Sequence, residues 1–320
     1  MPTEYVQVRA APFDLRILIY RILKQLVIIG LVALAVKLTL LDTVLVRTNQ
    51  MEPSIANGDR VLLWRAAYAA PLKWFVNPRR HAPVVFRHIC GDAGSGCLRI
   101  AGKPGDVVSI SNAVLSVLNE PTVPHLGRPD SSAESLPPEY SPRDWLEPYY
   151  IPRPGERLRL DTLALRDFIF AWAIIRQENP AGSFILQPWL HINDSLAKDY
   201  FITDFSLYRG PFNAVPQDLS SQWFFWDRLL IYLQAAHQGK KVELKLSIMT
   251  KGTAVVEYRV KEPYYFLIAD NWREGFDSRY FGPVGEHRML GTVVCALWSF
   301  EPGRRFPFGL RGRRICRIIH

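Results

Sequence analysis

The chain has 320 residues, 48% hydrophobic and 22% charged, which supports a real core and excludes a disordered or low-complexity chain. Its formal charge is +9, and a basic balance points to an anionic partner. Arginine gathers before the N-terminal apolar run and in the C-terminal tail, not among aromatics on one face, so membrane lipid is the expected partner and nucleic acid is not.

Residues 1–14 read as a short cytoplasmic segment. Residues 15–42 are mostly apolar: Leu26 to Val36 carries no charge, and Lys24 and Lys37 are placed to snorkel. The stretch predicts one transmembrane helix, because it is too long for a cleaved leader and no small-x-small site follows. Arg9, Arg16, Arg21 and Lys24 lie on its N-terminal side. By the positive-inside rule the N-terminus stays in the cytoplasm and the rest of the chain is exported.

Thr43 to Arg65 reads as strand, loop, strand. Val84-Val85-Phe86 and Cys97 to Ala101 are strands around the glycine-rich turn Gly91 to Gly96, a hairpin signal. Cys90 and Cys97 flank that turn. A disulfide and two free thiols are both compatible with the spacing. Val107 to Val117 continues as β, and the Pro- and Ser-rich stretch Pro121 to Pro142 is a loop. Apolar spacing predicts helices over Arg159 to Gln177 and Trp223 to His237. Val242 to Val260 and Tyr264 to Ile268 alternate or run as strands.

No HExxH, paired CxxC, Walker loop, GxGxxG or GxSxG occurs, and the histidines show no metal-ligand spacing. No cofactor and no metal is expected. Three segments are informative on other grounds. The first is Asn49-Gln50-Met51-Glu52-Pro53-Ser54, followed by Gly58-Asp59. The second is Val84-Val85-Phe86, then Leu98-Arg99-Ile100-Ala101-Gly102-Lys103-Pro104-Gly105-Asp106. The third is Ala269-Asp270-Asn271, then Gly275-Phe276-Asp277-Ser278-Arg279-Tyr280-Phe281-Gly282. In order and spacing they resemble the bacterial type I signal peptidases, whose pattern is Ser-Met-x-Pro, then Lys-Arg-x-x-Gly-x-Pro-Gly-Asp, then Gly-Asp-Asn…Ser-x-Asp-Ser-Arg.

The resemblance implies a mainly β fold with added helices: a signal-peptidase-like β core at 43–114 and 256–303 and a large α+β insertion at 115–255. One transmembrane helix precedes the core, and a basic tail follows at 304–320. It implies a single-pass protein of the bacterial cytoplasmic membrane, with its main domain on the outer face. Met51, Pro53, Arg99, Asp270, Asn271, Asp277, Ser278 and Arg279 match the family's core motif. Asp277 and Arg279 are expected to form the ion pair beneath its site.

The chemical positions do not match. The family cleaves peptides with a serine nucleophile and a neutral, buried lysine base. Those positions are Gln50 and Leu98. The serine that would support the lysine is Gly275, the first glycine of the third segment is Ala269, and Thr48 falls at the oxyanion-hole serine. An amide forms no acyl-enzyme, and a leucine accepts no proton. The expectation is a proteolytically inactive protein that binds signal peptides or other exported polypeptides. An endopeptidase using Thr48, which would share a strand face with Gln50, is the first alternative. A structural subunit of a membrane or secretion complex is the second.

Overall fold

In the computed structural model the described residues are 15–68, 77–89, 94–118, 120–121, 137, 142–304 and 307–319. A helix over Leu15–Leu40 runs directly into the first strand, Leu41–Leu45. The helix is present, but its end lies inside the segment expected to cross a membrane. Among the described residues no helix is long and apolar enough to cross a membrane, so that crossing is not shown. Several side chains of this helix, at 15, 17, 18, 33, 35, 36, 38 and 39, lie outside those described.

The central sheet is antiparallel. Its strand order is Leu41–Leu45, Asp59–Trp64, Met289–Ser299, Pro83–Arg87, Ser95–Gly102, Tyr264–Ile268 and Val284–Gly285. Arg317–Ile318 adds to Met289–Ser299 near the C-terminus. Chain segments more than 150 residues apart in sequence thus lie side by side, with Arg99 opposite Ile268. The expected hairpin forms, with Val84 opposite Leu98 and Val85 opposite Cys97.

Tyr264–Ile268 explains the shape of the core. Every residue in it is buried. Tyr264, Phe266 and Ile268 join the larger apolar cluster, while Tyr265, Leu267 and Ala269 join a smaller one with Met51, Ile55 and Leu98. A strand covered on both faces reads as an unbroken apolar run, as Tyr-Tyr-Phe-Leu-Ile-Ala does here. It is a wall shared by two cores.

The larger core holds helices Leu165–Glu178 and Trp223–Ala236 and two further four-stranded sheets. One of these sheets contains Val107–Ser111, Val114–Val117 and Leu146–Tyr150, so the boundary expected at 114/115 falls within a hairpin. The helix expected from Arg159 begins only at Leu165. Arg157–Arg159 is instead a strand paired with Glu257–Arg259, and the Leu160 amide donates to the Val256 carbonyl at 2.8 Å. Tertiary pairing overrides the helical spacing of the first turn.

The basic tail is not wholly a free cationic arm. Arg314 forks onto the fully buried Asp59, with Nη2 to Oδ2 at 2.6 Å and Nε to Oδ1 at 2.9 Å. It also donates to the Ser54 carbonyl at 2.9 Å, and Arg311 donates to the Asn57 carbonyl at 3.0 Å. Burial pushes the Asp59 pKa up, but the hydrogen bonds from Arg314 and the Ala56 amide, with the charge of Arg314, bring it below its ordinary value. A depressed carboxylate contributes stability that is complete above its unfolded pKa, near 3.9, and is lost as pH falls through the folded value. Arg314→Met should therefore cost about 2–3 kcal/mol at pH 7, discounted for the partial exposure of the arginine. The gap from wild type should narrow below about pH 4, as urea midpoints across pH would read.

Candidate functional site

The site lies where the loops at 49–54 and 269–279 meet the end of the shared wall. Beyond Tyr265 that strand loses its neighbour Val284–Gly285. Side chains complete its hydrogen bonding instead: the Leu267 amide donates to Ser278 Oγ and the Ala269 amide to Asp277 Oδ2, both at 2.9 Å. Asp277 is in turn gripped by Arg279, with Nε to Oδ1 at 2.9 Å and Nη2 to Oδ2 at 2.8 Å, both side chains 0% exposed. The guanidinium lies 4.2 Å from the Trp272 ring centroid and donates to the carbonyls of Arg143 and Trp272. Burial opposes its charge, but Asp277 raises the Arg279 pKa.

The loop carrying Gln50 packs against this frame. After Leu45 the chain leaves the strand and turns at 49–54. The Asn271 amide donates to the Gln50 carbonyl at 2.9 Å, and Asn271 Nδ2 donates to the Asn49 carbonyl at 3.2 Å. Met51 is buried in the smaller core, whereas Pro53 is exposed. Thr48 is half-buried beside Val85 and Cys97, at a small cleft lined by Val44 to Thr48 and Ser95 to Cys97. It and Gln50 do not share a strand, because the strand ends at Leu45. The Gln50 Oε1 is buried and has no donor among the described residues.

Leu98 is 0% exposed and belongs to the same apolar cluster as Met51, Ile55 and Val84. Its neighbour Arg99 forks onto Asp270, with Nε to Oδ1 at 2.8 Å and Nη2 to Oδ2 at 2.7 Å. Arg99 also donates to the His81 carbonyl at 2.6 Å and Ser54 Oγ at 3.5 Å. This one side chain ties all three sequence segments together. Lys103 lies past Gly102, its amide held by Asp106 at 2.8 Å. Burial and the Arg80 charge lower its pKa while Asp106 raises it. Gly102 serves close packing, not a turn: a Cβ there would stand 2.4 Å from Ile151 and 2.6 Å from Val108.

Ala269 and Gly275 share one small space. A Cβ built on Gly275 would lie 2.2 Å from the Ala269 Cβ and 2.9 Å from the Asn271 carbonyl oxygen. The two positions face one another across the loop, so a side chain at 275 competes with the Ala269 methyl and with the Asn271 carbonyl for the same space.

Sequence motifs point to Arg99, Asp270, Asn271, Asp277, Ser278 and Arg279, which the fold gathers around one loop. They do not point to Asp144 and Trp223. Asp144 is fully buried and accepts from Trp272 Nε1 at 2.7 Å, and Trp223 Nε1 donates to the Arg279 carbonyl at 2.9 Å. The only signal for Asp144 is an acid inside an otherwise loop-like stretch, which burial alone distinguishes. Cys97 is a buried free thiol, and burial pushes its pKa up to about 12. Cys90 lies outside the described residues. Among the described residues no cluster of His, Cys, Asp or Glu is arranged to hold a metal.

The exchange is testable by stability. Gly275→Ser alone should destabilise the protein by roughly 1–3 kcal/mol through overpacking. Ala269→Gly combined with Gly275→Ser should recover part of that loss in denaturant midpoint, the remainder being the contact with the Asn271 carbonyl. Equal loss in both variants would show that the two positions are not coupled.

The chain is similar to "Signal peptidase I" of Buchnera aphidicola subsp. Schizaphis graminum (strain Sg), 36% identical over 69 residues, which is 21% of this chain and 22% of that protein. The chain thus matches only a small share of that relative's length. The family described as "Signal peptidase, peptidase S26" matches residues 19–153 and 227–298, well over half of the chain. Those ranges take in Gln50, Leu98, Arg99 and the Asp270 to Arg279 frame, and the chain belongs to the signal peptidase, peptidase S26, family.

Proposed function

We propose that this protein is a membrane-anchored member of the family that holds extended polypeptides without cutting them. The observation that carries the reading is Leu98: the position of the base is a fully buried leucine inside an apolar cluster. No proton can be accepted there. A nearby carboxamide, Gln50, cannot form an acyl-enzyme, and Gly275 offers no hydroxyl to orient an amine. Ala269 occupies the space that such a hydroxyl-bearing side chain would need. The four changes suit one another, as expected of a pocket that has been repacked around the loss of its amine.

What remains suits binding. The Arg99–Asp270 and Asp277–Arg279 pairs still fix the loops at 49–54 and 269–279. The Gln50 Oε1 lacks a donor among the described residues, and, being closed off from solvent, it would accept a backbone N–H from an extended chain only once its side chain turned outward. For the anchor, Leu15–Leu40 spans 26 residues, about 39 Å at the helical rise, against a hydrocarbon core of about 30 Å. Its side chains Ile22, Leu26, Ile29 and Leu31 point out into the surroundings, about half or more exposed. The N-terminal arginines and Lys24 then favour a cytoplasmic N-terminus, with the main domain on the outer face.

Purified protein incubated with a preprotein substrate should give no product. The fourfold reversion Gln50→Ser, Leu98→Lys, Gly275→Ser, Ala269→Gly should restore measurable cleavage. Cleavage by the wild type would overturn the reading, and its loss in Thr48→Ala would establish a threonine mechanism instead. In the reverted protein the buried amine introduced by Leu98→Lys should have a pKa below its unfolded value near 10.4. Its stability should therefore fall as pH drops from about 10 towards the folded pKa, which wild type would not show.

A further inference from the structure

Two free cysteines lie away from the site. Cys295 is half-buried in Met289–Ser299, and Cys316 is exposed in the tail. The ladder sets Cys295 opposite Ile318 and Ala296 opposite Arg317, while the Cys316 amide donates to the Leu297 carbonyl at 3.2 Å. The two cysteines are thus diagonal neighbours across one antiparallel pair. Burial pushes the Cys295 pKa up, and the neighbouring Cys316 pushes it up further, as expected for two sulfurs within reach of each other's charge. Arg314, two residues before Cys316, holds Asp59 and the Ser54 carbonyl in the loop that carries Gln50.

We propose that Cys295 and Cys316 form a reversible disulfide that latches the C-terminal tail to the sheet and so fixes Arg314 beneath the Gln50 loop. Diagonal partners sit roughly 7–8 Å apart at Cα, and a disulfide wants about 4.4–6.8 Å, so the tail must close by about an ångström. That closure falls on the tail. Its strand is only two residues long, and Cys316 stands in the left-handed region at φ 51°. The oxidant is a small or protein disulfide. The exposed Cys316 thiolate attacks one sulfur of that disulfide and releases one thiolate, leaving a mixed disulfide on Cys316. The Cys295 thiolate then attacks the Cys316 sulfur and releases the second thiolate. The oxidant's disulfide is reduced to two thiols, which take up the protons that the two cysteines gave, and one protein disulfide forms.

This latch is independent of whether the site binds peptides. The test uses the full chain in mild detergent, treated with oxidised glutathione, alkylated and digested with trypsin without reductant. The expected product joins the peptides 289–304 and 315–317, two hydrogens lighter than their sum, and dithiothreitol separates them. Glutathione adducts alone, or pairing of either cysteine with Cys90 or Cys97, would overturn the assignment. Hydrogen exchange reads the consequence. Amides at 51–59 should exchange several-fold more slowly in the oxidised wild type than in the reduced protein, with no change on oxidising Cys316→Ser. Equal exchange in oxidised and reduced wild type would overturn the coupling of the tail to the loop.

Discussion

The interaction on which the site depends is the buried ion pair of Asp277 and Arg279. It is costly in isolation: both charges are withdrawn from water, and such pairs often contribute little net stability against an apolar replacement. Its effect is geometric. Asp277 accepts from the Ala269 and Arg279 amides, so one carboxylate finishes a strand edge and starts the short helix Ser278–Phe281. Arg279 then reaches the Trp272 and Arg143 carbonyls and stacks on Trp272. Fully paired, the group specifies one arrangement of the 269–279 loop. With either partner removed, a bare charge would remain in the core.

That frame is built without the side chains at 50 and 98. Gln50 and Leu98 donate nothing to it through their side chains. Their neighbours do: Arg99 binds Asp270, and Asn271 holds the Gln50 backbone. Substitution at a reactive position costs only local packing, whereas substitution at a framework position unpairs a buried charge. A leucine at 98 leaves no buried charge to desolvate. The alanine and glycine at 269 and 275 follow the same logic at the scale of one methyl group.

Much of this is legible in the sequence, for identifiable reasons. The strand Tyr264–Ile268 announces its double burial by carrying no charged residue, and the three motif segments name the residues that meet. The Thr48–Gln50 strand face fails because the chain turns after Leu45, where no glycine marks the change. The helix start at Arg159 fails because Leu160 and Leu163 continue an apolar spacing that sheet pairing interrupts. The Arg314–Asp59 contact joins residues 255 apart, and a basic tail looks the same in sequence whether it is solvated or folded back.

Folding back gives the tail a role in the architecture of the loop. Asp59 orders that loop from within, through the Ala56 amide at 2.9 Å, and Arg314 orders Asp59 from outside. The same arginine reaches the Ser54 carbonyl, and Arg99 reaches Ser54 Oγ. Ser54 therefore meets two guanidinium groups, each anchored on a buried aspartate. A loop tethered to two separate buried ion pairs keeps its shape whatever side chains stand at 50 and 98.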